Sequence, residues 1–230
     1  MIGRSTFIGA SLALATTGGV HPADAAELEL VETTAEFDVG TFVRRVSRSA
    51  DIRHVWDAGT LNPQILGGVK NALNGLQFGF GIDPSRIATA FVSHSASNLL
   101  LYSDTAWATY RLGELYGVRD PNGTVVGTNI FAAAHSTSLL ADPNDVRGFY
   151  QDASVAALQR RSVMFFACNT ALVQHAEQIA KSGVAGNPSP ADIARTLQRS
   201  LLHGVTLVPS GVAAVAYLQS KYHYAYLTEQ

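Results

Sequence analysis

The 230-residue chain is 47% hydrophobic and 15% charged, enough apolar material for one substantial core and a better fit to one domain than to two. A formal net charge of −2, with Lys and Arg scattered, excludes the basic stripe that a nucleic-acid partner requires. The single cysteine, Cys168, excludes a disulfide framework within the chain.

The first segment, "MIGRSTFIGASLALATTGGVHPADAAE", has one early positive charge at Arg4, an uncharged apolar run from Phe7 to Val20, and Ala23-Asp24-Ala25 as an A-x-A cleavage pattern. That layout predicts a secretory signal over 1–25, a mature chain from near Ala26, and a periplasmic or secreted location. The run is too short and too rich in Gly and Thr for a spanning helix, so stable membrane insertion is not expected. "RSTFIG" also resembles the twin-arginine export pattern, with Ser5 in place of the second arginine.

Leu28 to Arg48 reads as a polar lead-in followed by one short helix, docked through Phe37, Phe42, Val43 and Val46, with Arg44, Arg45 and Arg48 as its solvated face. "IRHVWDAG", Ile52 to Gly59, is a β-rich run. Asn62 and Pro63 then supply a cap and a first-turn proline for a helix carrying Ile65, Val69, Leu73 and Leu76 on one face. "RIATAFVSH", Arg86 to His94, is the nearly continuous apolar run of a strand covered on both faces. From Ser103 the pattern is less regular: a helix from Asp104 to Tyr116, then two turn-rich loops, so that 103–150 reads as an insertion over one end of the sheet.

Beyond it the alternation is regular. Asp152 caps a helix to about Arg161, "SVMFFAC" is a strand, and Asn169 to Lys181 is a helix. "NPSPADIARTLQRSLL" is a capped helix, "HGVTLVP" a strand, "SGVAAVAYLQS" a helix and "YHYAYL" a last strand. Strands alternating with helices imply an α/β fold: a three-layer α/β/α domain over 26–230 around a five-stranded, mainly parallel sheet.

In such a sheet, ligands bind beyond the carboxyl ends of the strands. Asp57, His94 with Ser95, Cys168 with Asn169, and Ser210 with Gly211 all fall at strand-to-helix turns. Free N–H groups and the positive dipole end at a helix N-terminus favour thiolate over thiol, which makes Cys168 a candidate reactive group. The alternative is a small buried hydrophobe that happens to carry sulfur. Thiol catalysis needs a base beside the sulfur, and His94, ending a neighbouring strand, is the candidate; His175 lies two turns into the next helix and points away. Ser210 can cap the last long helix, and Gly211 lets another backbone or an anion approach. His54, His135, His203 and His223 show no ligand spacing, so no metal is expected. No cofactor is expected either. The G-x-G of "GLQFGFGIDP" follows a helix and lacks the third glycine, and there is no Walker loop and no G-x-S-x-G elbow.

Three segments carry a family resemblance. "LQRRSVMFFACNTAL" is similar to the strand–Cys–Asn–helix segment of the DsrE/DsrF-like (YchN-like) family, usually C-G-N-T; here "ACNTA" lacks that glycine. "LLHGVTLVPSGVAAVAYLQSKYHYAYL" is similar to the family's C-terminal pattern, and "IATAFVSHSASNLLL" to its second strand and following loop. The resemblance covers roughly 50–101 and 151–228. It implies a flavodoxin-like three-layer fold, homo-oligomers, and a cysteine that carries sulfane sulfur between partner proteins. On this chain that cysteine is Cys168, with Asn169 and Thr170 beside it. The expected protein is therefore an exported DsrE-like sulfur acceptor or carrier. The alternative is a non-catalytic oligomeric binding module.

Overall fold

A computed structural model describes residues 37–133 and 152–228. The expected signal at 1–25 and the second loop of the 103–150 stretch lie outside the described residues.

Short polar side chains start most of the helices, because their oxygens accept N–H groups that have no partner inside the helix. Helix α1 (Val39–Val46) starts at Asp38, whose Oδ1 accepts the Thr41 N–H at 2.8 Å. After strand β1 (Ile52–Ala58), helix α2 (Gln64–Asn74) begins one residue later than the sequence suggests. Pro63 sits at the cap position, and Asn62 Oδ1 accepts the Gln64 N–H at 3.0 Å. The helix runs on into a π-helical turn, Gly75–Gly79.

Strand β2 (Ile87–Ser93) is buried along its whole length, as a strand covered on both faces must be. A 3-10 helix, Ser95–Leu101, follows it. The single helix expected over Asp104–Tyr116 is instead two, α3 (Asp104–Thr109) and α4 (Leu112–Leu115), parted by Arg111 at φ 48°. The break lets the next loop close back: a Cβ at Gly113 would stand 1.8 Å from the Val126 carbonyl oxygen. Helix α5 (Val155–Arg160) is capped by Ser154, not Asp152. Asp152 instead accepts the Ser154 N–H at 2.6 Å. Strand β3 (Met164–Cys168), helices α6 (Asn169–Ser182) and α7 (Pro190–Arg199), strand β4 (Thr206–Val208), helix α8 (Gly211–Tyr222) and strand β5 (Ala225–Leu227) complete the order.

The sheet has five strands in the order β4-β3-β2-β1-β5, and every ladder is parallel. This is the expected three-layer α/β architecture, with a strand order other than the 2-1-3-4-5 of flavodoxins. Handedness explains the layers. From β1 to β4 the chain steps one strand at a time in one direction, so right-handed crossovers put α2 to α7 on one face. There, Trp56, Phe91 and Phe165 pack with Ile65, Val69 and Leu158, and beyond them Leu172 and Ile179 pack with Trp107, Ile193 and Leu197. From β4 the chain returns across the whole sheet to β5, which sends α8 to the opposite face. That face buries Val55, Ala90, Val92 and Phe166 under Phe42, Val46, Val215 and Leu218.

One local reading changes. Arg45 and Arg48 are not a solvated face of α1. Arg45 donates to the Gly204 carbonyl at 3.2 Å and to Thr206 Oγ1, with its guanidinium 5.7 Å over the Phe166 ring. Arg48 donates to the Ser85 carbonyl at 3.2 Å and to that of Ile87. In the described part of 103–150, Trp107 and Leu112 are fully buried, and Asn129 Nδ2 donates to the Tyr102 carbonyl at 2.6 Å. Among the described residues no helix is long and apolar enough to cross a membrane.

Candidate functional site at the carboxyl edge of the sheet

The helices that follow β3 and β4 depart to opposite faces, so the chain parts between the carboxyl ends of these two strands. That is the topological switch point, where open α/β sheets form their ligand crevice. Cys168, Asn169 and Thr170 lie on one side of it and Pro209, Ser210 and Gly211 on the other. Thr170 Oγ1 donates across it to the Pro209 carbonyl at 3.2 Å.

Cys168 is the last residue of β3 and the N-cap of α6. It is 4% exposed, and its Sγ accepts the Ala171 N–H at 3.4 Å. The sulfur thus stands where a cap oxygen normally would, at the positive end of a 14-residue helix. Its backbone is pinned by a residue that pattern reading did not single out. Asn98 is fully buried; its Oδ1 accepts the Cys168 N–H at 3.2 Å and its Nδ2 donates to the Cys168 carbonyl at 2.8 Å. Asn98 Oδ1 also accepts from Ser93 Oγ at 3.0 Å. Asn169 is buried beside the thiol, and Ser210 caps α8 by accepting the Ala213 N–H at 3.4 Å.

Below Cys168 the α6 face carries His175. It is buried and bonded through Nδ1 to the Tyr102 hydroxyl at 3.1 Å. Burial pushes its pKa down to about 4 and pushes the Tyr102 and Tyr116 phenols up. His54, on β1, is likewise depressed to about 4 by burial; its Nδ1 accepts from Trp56 Nε1 at 3.0 Å and its Nε2 faces Thr89 Oγ1 at 2.8 Å. These histidines are neutral members of the core.

A second group occupies the ends of β1 and β2. His94 Nε2 lies 2.9 Å from Asp57 Oδ1, and Nδ1 lies 3.3 Å from Ser95 Oγ. Tyr226 donates its hydroxyl to Asp57 Oδ2 at 2.8 Å, and Thr228 Oγ1 donates to the Asp57 carbonyl at 3.1 Å. The hydrogen bond from His94, aided by that from Tyr226 and opposed by burial, holds the Asp57 carboxyl below its usual range; the same contact raises the Tyr226 phenol. Glycines hold the imidazole in place. A Cβ at Gly59 would stand 2.8 Å from His94 Cε1, and one at Gly211 would stand 2.9 Å from His94 Cβ and 3.3 Å from Cys168 Cβ.

The structure therefore gathers Asp57 with His94, and sets His94 and Cys168 on either side of Gly211. The ring of His94 bonds to Asp57 and Ser95, while the thiol takes the Ala171 N–H. Among the described residues, no group of His, Cys, Asp and Glu is arranged to hold a metal ion. Comparison with protein-family models, with curated proteins and with solved structures gives no match. Fold and site together define a three-layer, parallel-sheet α/β protein with its polar residues gathered on the carboxyl rim.

Proposed function

We propose that this chain is an exported thiol protein of DsrE-like type that accepts or relays sulfane sulfur on Cys168. The observation that carries this reading is the position of Sγ: at the turn from β3 into α6, taking a backbone N–H at the start of that helix. An N-terminal helix end stabilises a thiolate and, after transfer, a terminal persulfide anion. The step is a thiol exchange. The Cys168 thiolate attacks the terminal sulfur of a polysulfide or of a donor persulfide, a new S–S bond forms, the donor's S–S bond breaks, and the shortened donor leaves with the electron pair. A protein donor or acceptor and a homo-oligomeric state belong to this reading, as does a periplasmic or secreted location. The outer face of α8 supports association, since Val212 and Tyr217 are exposed there.

Intact mass after polysulfide treatment tests it. The expected result is the addition of sulfur atoms that map to the Cys168 peptide and are lost in Cys168→Ser. No added sulfur on Cys168 across a range of pH and polysulfide concentration would sink it.

A second reading, a non-catalytic oligomeric module for a small ligand or a protein, is favoured by two facts: Cys168 is 4% exposed, and an apolar groove of about 280 Å³ lies between α1 and α8. Under that reading Cys168→Ala leaves ligand binding and phenotype unchanged.

A further inference from the structure

We infer that Ser95, His94 and Asp57 form a nucleophile, base and orienting carboxylate able to cleave small acyl esters, an activity separate from any chemistry at Cys168. The hydrogen-bond chain has a direction. An ionised carboxylate can only accept, so Nε2 of His94 carries the proton it gives to Asp57, and the lone pair of Nδ1 faces the Ser95 hydroxyl. Tyr226 holds the far oxygen of Asp57, so the carboxylate is fixed at both ends. The 3.3 Å separation of serine and imidazole is within the range of unliganded catalytic pairs, which tighten when substrate binds.

The turn at Ser95 shares two features with a nucleophile elbow, although the G-x-S-x-G sequence is absent. In such elbows a serine sits on a sharp strand-to-helix turn, with small residues two positions before and after it. Ser95 follows the central strand β2, opens a 3-10 helix, and has φ 49° in a residue with a Cβ. That conformation is costly and is held in place by its surroundings. The flanking positions are Ser93 and Ser97, both fully buried, with their Oγ atoms 2.9 Å apart beneath the turn. Larger side chains could not meet there. The familiar glycines are replaced by serines that hydrogen-bond to each other, while Ser95 itself is exposed.

In the reaction, Ser95 Oγ attacks the ester carbonyl carbon as its proton passes to His94 Nδ1. The bond from that carbon to the alcohol oxygen then breaks, and His94 returns the proton to the departing alkoxide. Water, deprotonated by His94, cleaves the acyl-serine, releasing the acid and restoring Ser95.

The test uses the full chain and a fluorophosphonate, in which the Ser95 Oγ–P bond forms, the P–F bond breaks and fluoride leaves. One phosphonyl group is expected on the Ser95 peptide, and none in Ser95→Ala. His94→Ala slows labelling about 10²- to 10⁴-fold. Asp57→Asn slows labelling as well, because the imidazole loses the carboxylate that orients it. With p-nitrophenyl acetate and butyrate, turnover is lost in the same variants. Absence of an adduct on Ser95 in protein whose circular dichroism shows it folded overturns the proposal. So does labelling at the wild-type rate in His94→Ala or in Asp57→Asn.

Discussion

The two ends of the carboxyl rim use polar residues in opposite ways. Around Cys168, polarity is buried and closed: Asn98, Ser93 and Ser97 are fully buried and bond to one another and to the backbone. Around His94, polarity is half-exposed and open to a substrate: His94 and Asp57 side chains are each 21% exposed, and Ser95 lies at the surface. Closed networks set geometry, because every unmade bond inside them costs stability. Open ones keep a lone pair and a hydroxyl available for chemistry. Cys168 stands on the boundary, with its backbone in the closed network and its sulfur on the Ala171 N–H at the start of α6.

That contrast can be broken at its strongest point with Asn98→Leu, which keeps the volume but leaves the Cys168 N–H and carbonyl and the Ser93 hydroxyl without this partner. The expected loss is roughly 3 kcal/mol or more, read from the urea midpoint. A shift below about 1 kcal/mol would mean that the network is not closed.

Acid probes the buried side next. His54 and His175 titrate near 4 when folded and near 6.5 when unfolded, so the unfolded chain binds protons first as pH falls. Their contribution is complete above about pH 6.5 and is lost between there and about pH 4, to at most roughly 3 kcal/mol for each. The Tm should drop steeply across that window, and the drop should shrink in His175→Gln.

Gly211 joins the two ends. Gly211→Ala should cost about 1–2 kcal/mol, because its Cβ meets His94 Cβ and Cys168 Cβ at once. A neutral effect would show that the crevice yields.

The smallest effect belongs to the open side. Tyr226→Phe removes one donor to Asp57 at an exposed site, so stability should move by less than about 0.5 kcal/mol. The Asp57 carboxyl should instead titrate higher, as followed by carbon-detected NMR, and an unmoved carboxyl would show that Tyr226 does not hold it.

Much of this was legible from residue order. The apolar runs at Ile87–Ser93 and Met164–Cys168, and the caps at Ser189 and Ser210, follow from local rules of burial and capping. So did the places of Asp57, His94, Cys168 and Gly211 on strand-to-helix turns. Asn98 and Tyr226 were not legible, because their partners are 70 and 169 residues away. Arg45 and Arg48 looked solvated because a helix face shows its spacing but not the strand ends packed against it. The break at Arg111 was hidden in the same way, set by the approach of Val126 to Gly113.

By itself, then, the sequence determined an α/β chain with parallel strands and a rim of polar turns, since periodicity and capping act over a few residues. Only the tertiary structure decided which rim residues meet. It turned His94 toward Asp57 and Ser95 and gave Cys168 the N–H of Ala171. Strand order and crossover direction made that choice, because they set which carboxyl ends stand side by side.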